Sequence, residues 1–108
     1  MFKNKLDFEK TLNDLKASKK LFKTYFRQED LEVELYKPDK VDLQEPHTRD
    51  EVYVITAGHG EFQLENELTT VKPGDFLFVA AGKEHRFLNF SENFSTWVLF
   101  FGEDKNSV

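Results

Sequence analysis

Apolar residues follow two different spacings along this chain, one typical of a helix and one typical of strands. Near the N-terminus, Phe8, Leu12 and Leu15 recur at intervals of four and three residues. This spacing predicts a short amphipathic helix over residues 6–17, with Asp7 as its N-cap. We expect this segment to pack on the outside of a sheet, because it is too short to form a core of its own.

After residue 18 the pattern changes to short runs separated by polar, glycine or proline turns. In one run, Leu31, Val33 and Leu35 alternate with polar residues, which predicts a strand with one face toward water. Residues 72–75, with Pro followed by Gly, predict a type II turn. The predicted strands are 21–27, 31–37, 51–56, 62–64, 68–71, 76–80, 84–90 and 95–101. Short strands at this spacing predict an all-β barrel or sandwich with a short N-terminal helix.

Two apolar runs do not alternate at all. Residues 52–55 and 98–101 are continuously apolar, which predicts strands that are buried on both faces. A barrel of this size has one interior, and the predicted helix has too few large apolar side chains to cover the whole outer surface. We therefore expect an isologous homodimer in which a second copy covers the remainder.

Composition narrows the class of protein further. The chain has 108 residues, which suits a single domain over 1–108, and its twelve phenylalanines suit a sheet-on-sheet core. A net charge of −5 with dispersed lysines argues against a nucleic-acid partner. The absence of cysteine excludes disulfides and thiolate metal sites. The N-terminus has no apolar run typical of a signal peptide, and no segment has membrane-spanning length. We therefore expect a cytoplasmic protein without a membrane partner.

The candidate chemistry lies in two histidines and their acidic neighbours. His47 and Glu51 are four residues apart, and His85 lies on a later predicted strand. Two imidazoles and a carboxylate can hold a divalent transition metal and leave positions open for other ligands. Glu45 has the same parity as His47 and Glu51, so it is a candidate fourth ligand if the strand begins before His47. Gln44 has the opposite parity, which makes it a weaker candidate.

These residues resemble the two sequence motifs of the cupin superfamily. Residues 45–58 resemble the first motif, with His47 as its second histidine, then Glu51 and a glycine. Residues 74–89 resemble the second motif, with its glycines, His85 and an asparagine. Two positions depart from the pattern, because Glu45 stands where the first histidine is expected and alanine replaces the proline of the second motif. The short gap between the motifs is similar to that of small single-domain (type 2) bacterial cupins.

The resemblance implies a double-stranded β-helix, or jelly-roll barrel, that binds Fe, Mn, Zn, Ni or Co and a small-molecule ligand. Dioxygenase, isomerase and lyase activities all occur in that superfamily, so the fold leaves the reaction open. A non-catalytic barrel that binds or senses a small ligand, with or without metal, is the alternative. A purely structural barrel would require the motif to be vestigial. Whether the protein is an enzyme therefore stays open at this point.

Other residues near the motifs have simpler interpretations. His59, between two turn glycines, is predicted to be exposed and without a role. Tyr53 shares the parity of Glu51, so it is expected either to line the cavity or to belong to the core. Some of the large aromatic residues are expected to form an apolar cavity wall, which favours a modest hydrophobic or aromatic ligand. The candidates for that wall are Phe76, Phe78, Phe87 and Trp97.

Overall fold

The computed structural model describes residues 4–105, and its elements are one helix and eight antiparallel strands. Residues 1–3 and 106–108, which the proposed domain 1–108 includes, lie outside this range. Across residues 4–105, no helix has the length and apolar character needed to cross a membrane. The elements are α1 Phe8–Ser18, β1 Phe22–Gln28, β2 Leu31–Tyr36, β3 Asp50–Ala57, β4 Gly60–Leu64, β5 Glu67–Val71, β6 Phe76–Val79, β7 His85–Leu88 and β8 Ser95–Phe101.

Helix α1 begins at the predicted cap. The Asp7 carboxylate accepts a hydrogen bond from the Lys10 backbone nitrogen at 3.0 Å, which satisfies a donor that the first helical turn leaves free. Leu15 is buried, and the Phe8 ring lies edge-on against Trp97 of β8 with ring centroids 6.3 Å apart. The helix therefore covers part of the outer face of a sheet, as its amphipathic spacing predicts.

Two antiparallel sheets enclose the core. The larger has the strand order β1-β2-β8-β3-β6, and the smaller has the order β5-β4-β7. Tyr53 and Val98 are register partners on β3 and β8, and both belong to the buried core cluster. Tyr53 packs against Phe62 and Phe87 of the smaller sheet, with ring centroids 5.7 and 5.0 Å away. The prediction of an all-β jelly roll with a short N-terminal helix is confirmed.

Two glycines set the turns that flank β3 and β6. Gly58 has a φ of +77°, and a Cβ at this position would lie 2.6 Å from Phe94 Cα, so no other residue fits without movement. Gly74 has a φ of +92° at the third position of the predicted type II turn, where Asp75 N donates to Lys72 O at 3.1 Å. Gly74 N also donates to the Ile55 carbonyl at 2.8 Å, which connects the second turn to β3.

The sequence prediction for β2 is wrong in one respect. Its side chains alternate as expected, but the polar set does not face bulk water. Leu35 is fully buried and is the register partner of Trp97, which lies under α1. On the opposite face, Tyr36 belongs to the core cluster and Glu34 lines a cavity. The helix covers the apolar face of β2, and the polar face therefore borders the open end of the barrel.

Candidate metal centre

Three of the residues identified from the sequence converge between the two sheets. His47 lies in the loop before β3, Glu51 is the second residue of β3, and His85 is the first residue of β7. Each offers one ligand atom, and the three atoms lie within 4.8 Å of one another. The two imidazole rings have centroids 5.3 Å apart. The convergence expected from the motif spacing is therefore present in the structure.

The carboxylate of Glu51 is buried without hydrogen bonds. Both of its oxygens, together with His85 Nε2, lack any hydrogen-bond partner among the described residues. Glu51 Oε1 lies 2.8 Å from His85 Nε2 and 3.7 Å from His47 Nε2. Because buried polar atoms are nearly always paired, the Glu51 carboxylate requires a positive partner, either a protonated His85 or a metal ion.

The tautomer of His85 explains why its short contact with Glu51 is not a hydrogen bond in the neutral ring. His85 Nδ1 lies 2.9 Å from the Lys83 carbonyl oxygen, so Nδ1 carries the hydrogen and donates it. Nε2 then presents a lone pair to a carboxylate oxygen, and the two acceptors repel each other. Burial alone would lower the pKa of His85, but Glu51 and the Lys83 carbonyl outweigh it and raise the pKa. The site thus attracts a positive charge, either a proton or a metal ion.

His47 is the accessible member of the group. Its side chain is 33% exposed, whereas those of Glu51 and His85 are fully covered. Burial lowers the pKa of His47, and the attraction of Glu51 only partly opposes this shift. The ring also packs edge-on against Phe100, with centroids 5.1 Å apart. His47 is therefore held in one place as a neutral imidazole, the form that binds metals.

Glu45 does not join this group. Its side chain is exposed, and it lies outside the cluster of potential ligands that the structure brings together. Glu45 would share a face with His47 only on a strand that begins before His47. The structure has no such strand at this point, because β3 begins at Asp50. Residues 43–49 form a loop, in which side chains do not alternate between two faces.

Gln44, the weaker candidate by strand parity, is the residue that reaches His47. Its Oε1 accepts a hydrogen bond from the Tyr53 hydroxyl at 2.8 Å and lies 3.3 Å from His47 Nε2. Burial raises the pKa of Tyr53 well above its ordinary value, so this hydroxyl stays protonated and donates. Tyr53 is therefore a core residue whose hydroxyl reaches the site. The loop conformation brings Gln44 rather than Glu45 to the histidine, and strand parity could not have shown this.

Asp42 holds the loop that carries Gln44. This buried carboxylate accepts hydrogen bonds from the Tyr36 hydroxyl at 2.6 Å and from the Gln44 backbone nitrogen at 3.2 Å through Oδ1. Through Oδ2 it accepts from Gln44 Nε2 and from the Phe87 backbone nitrogen, both at 2.8 Å. One side chain thus connects the loop to β2 and to β7. It fixes the loop beside the proposed metal ligands.

A cavity of about 400 Å³ opens next to His47. Its polar lining comes from Glu34, Gln44 and His47, and the rest is mainly apolar. The predicted aromatic wall is wrong, because the four residues named for it do not line this cavity. Phe87 is buried in the core, Trp97 packs under α1, and Phe76 and Phe78 are exposed on the outer side of β6. The apolar wall comes instead from Leu21, Phe22, Tyr36, Val41, Leu43, Val98 and Phe100.

The three convergent side chains fit a divalent transition metal. They supply two imidazole nitrogens and one carboxylate, a donor set that suits such ions. The hydrogen bond from His85 Nδ1 to a backbone carbonyl is the arrangement that orients metal-binding histidines. The unpaired buried atoms of Glu51 and His85 provide the independent indication of a cation. His59, the third histidine, is exposed and outside the group, as predicted.

Comparison with known proteins agrees with this geometry. The sequence pattern of the cupin domain family matches residues 32–101, which include all three convergent residues. An uncharacterized protein of Streptomyces coelicolor is 31% identical over 99 residues, which are 90% of each chain. These matches cover the barrel strands β2–β8 and the loop that carries Gln44 and His47.

Solved structures show the same fold. Protein NMB1881 from Neisseria meningitidis aligns with a TM-score of 0.69 at 18% identity, over 92% of this chain and 100% of the other. KdgF from Halomonas sp. aligns with a TM-score of 0.67 at 22% identity, over 76% and 77%. The DMSP lyase DddQ from Ruegeria pomeroyi aligns with a TM-score of 0.65 at 25% identity, over 80% of this chain and 49% of its own. The present chain thus spans about half the length of DddQ.

Proposed function

This chain belongs to the cupin family, and we propose that it binds a divalent transition metal through His47, Glu51 and His85. One observation carries the proposal: both Glu51 oxygens and His85 Nε2 are buried, face one another and have no hydrogen-bond partner among the described residues. Fe, Mn, Zn, Ni and Co all accept this donor set. A bound ion would supply a Lewis acid or a redox centre. Glu51 would neutralise part of its charge, and the Lys83 carbonyl would orient His85.

We further propose that the ligand is a small organic molecule that enters through the cavity beside His47. The cavity has room for a small organic ligand, and its apolar lining favours a largely apolar one. His47 is the proposed metal ligand that borders it, so a bound molecule would approach the metal from that side. A dioxygenase-, isomerase- or lyase-like reaction is one candidate for this site, and a non-catalytic barrel that binds or senses a small ligand is the alternative. Chemical conversion of a bound ligand would identify the protein as an enzyme, and binding without conversion would identify it as a sensor.

Metal content after substitution of single histidines tests the metal proposal. Purified without a metal-affinity tag, the protein is expected to hold about one transition metal ion per chain. His47→Ala and His85→Ala should each lower that content by at least about tenfold, because each removes a ligand from a three-residue set. Elemental analysis by mass spectrometry measures the content.

The third histidine provides the matched control for this measurement. His59→Ala should retain the metal content of the wild type, because His59 is exposed and outside the group. Wild-type metal content in both His47→Ala and His85→Ala would rule the proposed site out. Equal loss in His59→Ala would show that the metal binds elsewhere.

We also propose that two copies associate through the outer face of β6. Phe76 and Phe78 on this strand are 65% and 49% exposed, and Phe101 packs beside Phe78 with ring centroids 6.4 Å apart. Strand β6 is at the edge of its sheet, opposite the edge formed by β1, which α1 contacts. The helix therefore leaves this aromatic face uncovered. In a two-fold symmetric dimer, the same apolar face of a second copy would pack against this one and cover it.

Substitutions on β6 test this assembly. Multi-angle light scattering at micromolar concentration should give about twice the chain mass of 12.7 kDa. The double variant Phe76→Ser/Phe78→Ser should run as a monomer, because it removes the exposed aromatic surface. Leu68→Ser on β5 removes a residue of similar exposure, 58%, from the other sheet and should leave the mass unchanged. A monomeric wild type would contradict the proposal.

A further inference from the structure

Within residues 4–105, Glu34 is a carboxylate without an ion pair, and it lines a mainly apolar cavity. It lies on β2, is partly buried, and faces the cavity together with Tyr36 and Phe100. Its single hydrogen bond among the described residues is a long one, 3.4 Å, from the Thr24 hydroxyl to Oε2. A carboxylate offers about four acceptor positions, so most of its capacity is unused.

The neighbouring acidic residue is bound differently. Glu32 lies two residues away on the same face of β2, and its carboxylate pairs with Arg49 at 2.9 Å and with Arg27 at 3.5 Å. No comparable ion pair reaches Glu34 within residues 4–105. Burial raises the pKa of Glu34, and the negative charges of Glu32 and Glu51 raise it further, against the opposing effects of the Thr24 hydrogen bond and of Arg27. Among the described residues, the carboxylate of Glu34 therefore has no ion-pair partner.

The remaining polar groups of the cavity do not supply one. Gln44 directs its Oε1, an acceptor, toward Tyr53 and His47, and its amide nitrogen is already bonded to Asp42. His47 Nε2 lies 3.3 Å from Gln44 Oε1 and 3.7 Å from Glu51 Oε1, so its polar contacts are with these residues. Among the described residues, the cavity thus combines a largely apolar wall with unsatisfied acceptors, and Thr24 supplies the single, long hydrogen bond to Glu34.

The rim of the cavity is also apolar. Leu21, Val41 and Leu43 line it and are 47%, 59% and 83% exposed. These side chains would contact an apolar body that reaches past the cavity mouth, while Glu34 lies on the β2 wall. A ligand complementary to both features has an apolar body and one positively charged donor group.

We propose that Glu34 determines the ligand specificity of this cavity, and that it selects a small, largely apolar molecule that carries a protonated amine. The ammonium would donate to the Glu34 carboxylate, and the apolar body would lie against Phe22, Val98 and Phe100. This inference deepens the small-ligand part of the proposed function and rests on it. Nothing in the contact between Glu34 and the ammonium requires the metal, so the two proposals fail independently.

Three probes with the same phenyl group and nearly the same length test this inference: 2-phenylethylamine, 2-phenylethanol and 3-phenylpropionate. Calorimetry or NMR titration with protein treated with a chelator measures the cavity without metal. We expect the amine to bind more tightly than the alcohol, and the alcohol more tightly than the acid. Glu34→Gln should weaken binding of the amine by at least about tenfold, because it removes a charge-assisted hydrogen bond. The same substitution should change binding of the alcohol much less.

Glu32→Gln is the matched control, since it removes a carboxylate from the same strand face that is already paired with arginine. It should preserve the preference for the amine. The inference is overturned if the acid binds the wild type as tightly as the amine. It is also overturned if Glu34→Gln leaves the order of the three affinities and the difference between amine and alcohol unchanged. Should Glu34→Gln fail to fold, the order of the three probes in the wild type decides alone. The titrations are then repeated with metal-loaded protein. Binding of the amine to Glu34 should not depend on the metal, whereas direct coordination of a probe to the metal should.

Discussion

Replacing Glu51 with glutamine should have opposite effects on metal binding and on the stability of the metal-free protein. The substitution keeps the size of the side chain but removes the negative charge that faces both histidines at 2.8 and 3.7 Å. We expect metal affinity to fall by at least about 100-fold, because a ligand is lost rather than an outer-shell group. Calorimetric titration with Zn²⁺ and Mn²⁺ measures the loss.

The metal-free protein should become more stable in the same variant. Among the described residues, both Glu51 oxygens and the neutral His85 Nε2 are buried without hydrogen-bond partners, which costs free energy in the folded state. The glutamine amide can donate to His85 Nε2, and it carries no charge that needs solvation. At a pH above the pKa of His85, we expect the free energy of unfolding to rise by about 1 kcal/mol. Chemical denaturation with a chelator present measures this change.

Glu45→Gln is the matched control for both measurements. It is the same isosteric change six positions earlier, at an exposed residue outside the group of three. We expect it to alter neither metal affinity nor stability. If Glu51→Gln keeps the metal affinity of the wild type, Glu51 is not a ligand. If it instead destabilises the chelated protein by several kcal/mol, Glu51 has a structural role.

Asp42→Ala should cause the largest loss of stability among single substitutions near the site. The Asp42 carboxylate accepts four hydrogen bonds, and the donors that it pairs include the Tyr36 hydroxyl and the Phe87 backbone nitrogen. Alanine would leave these buried donors without an acceptor. Each unpaired donor costs about 1–3 kcal/mol, so a total loss of about 3–5 kcal/mol is expected. That is a large part of the free energy of unfolding of a small domain, which is about 5–15 kcal/mol.

Urea denaturation followed by fluorescence of Trp97 measures the effect. Asp39→Ala is the control, because Asp39 is an exposed aspartate of the same loop and should change stability by less than about 0.5 kcal/mol. The stability of Asp42→Asn should lie between those of Asp42→Ala and Asp39→Ala. Its amide oxygen can still accept hydrogen bonds, but its NH₂ group would face donors that now pair with a carboxylate oxygen. Equal stability of Asp42→Ala and Asp39→Ala would show that this network contributes little.

The sequence determined the fold class and the identity of the convergent residues. Apolar spacing and glycine turns are local properties. The helical spacing placed α1, and alternation and turns placed the eight strands, each to within a few residues. The helix cap at Asp7 and the positive φ of Gly74 likewise depend on residues near one another in sequence. The spacing of His47, Glu51 and His85 is a motif property, and the structure does bring these three together.

The tertiary structure alone decided which polar residues surround that group. Parity favoured Glu45 over Gln44, but Asp42 in the loop before β3 accepts hydrogen bonds from Tyr36 and from Phe87, 45 residues away. This loop conformation directs Gln44 inward. Alternation gave β2 two faces but could not say which one α1 would cover. The polar face, with Glu34, therefore became a cavity wall rather than a wet surface. Such choices depend on contacts between residues far apart in sequence, which local periodicity does not encode.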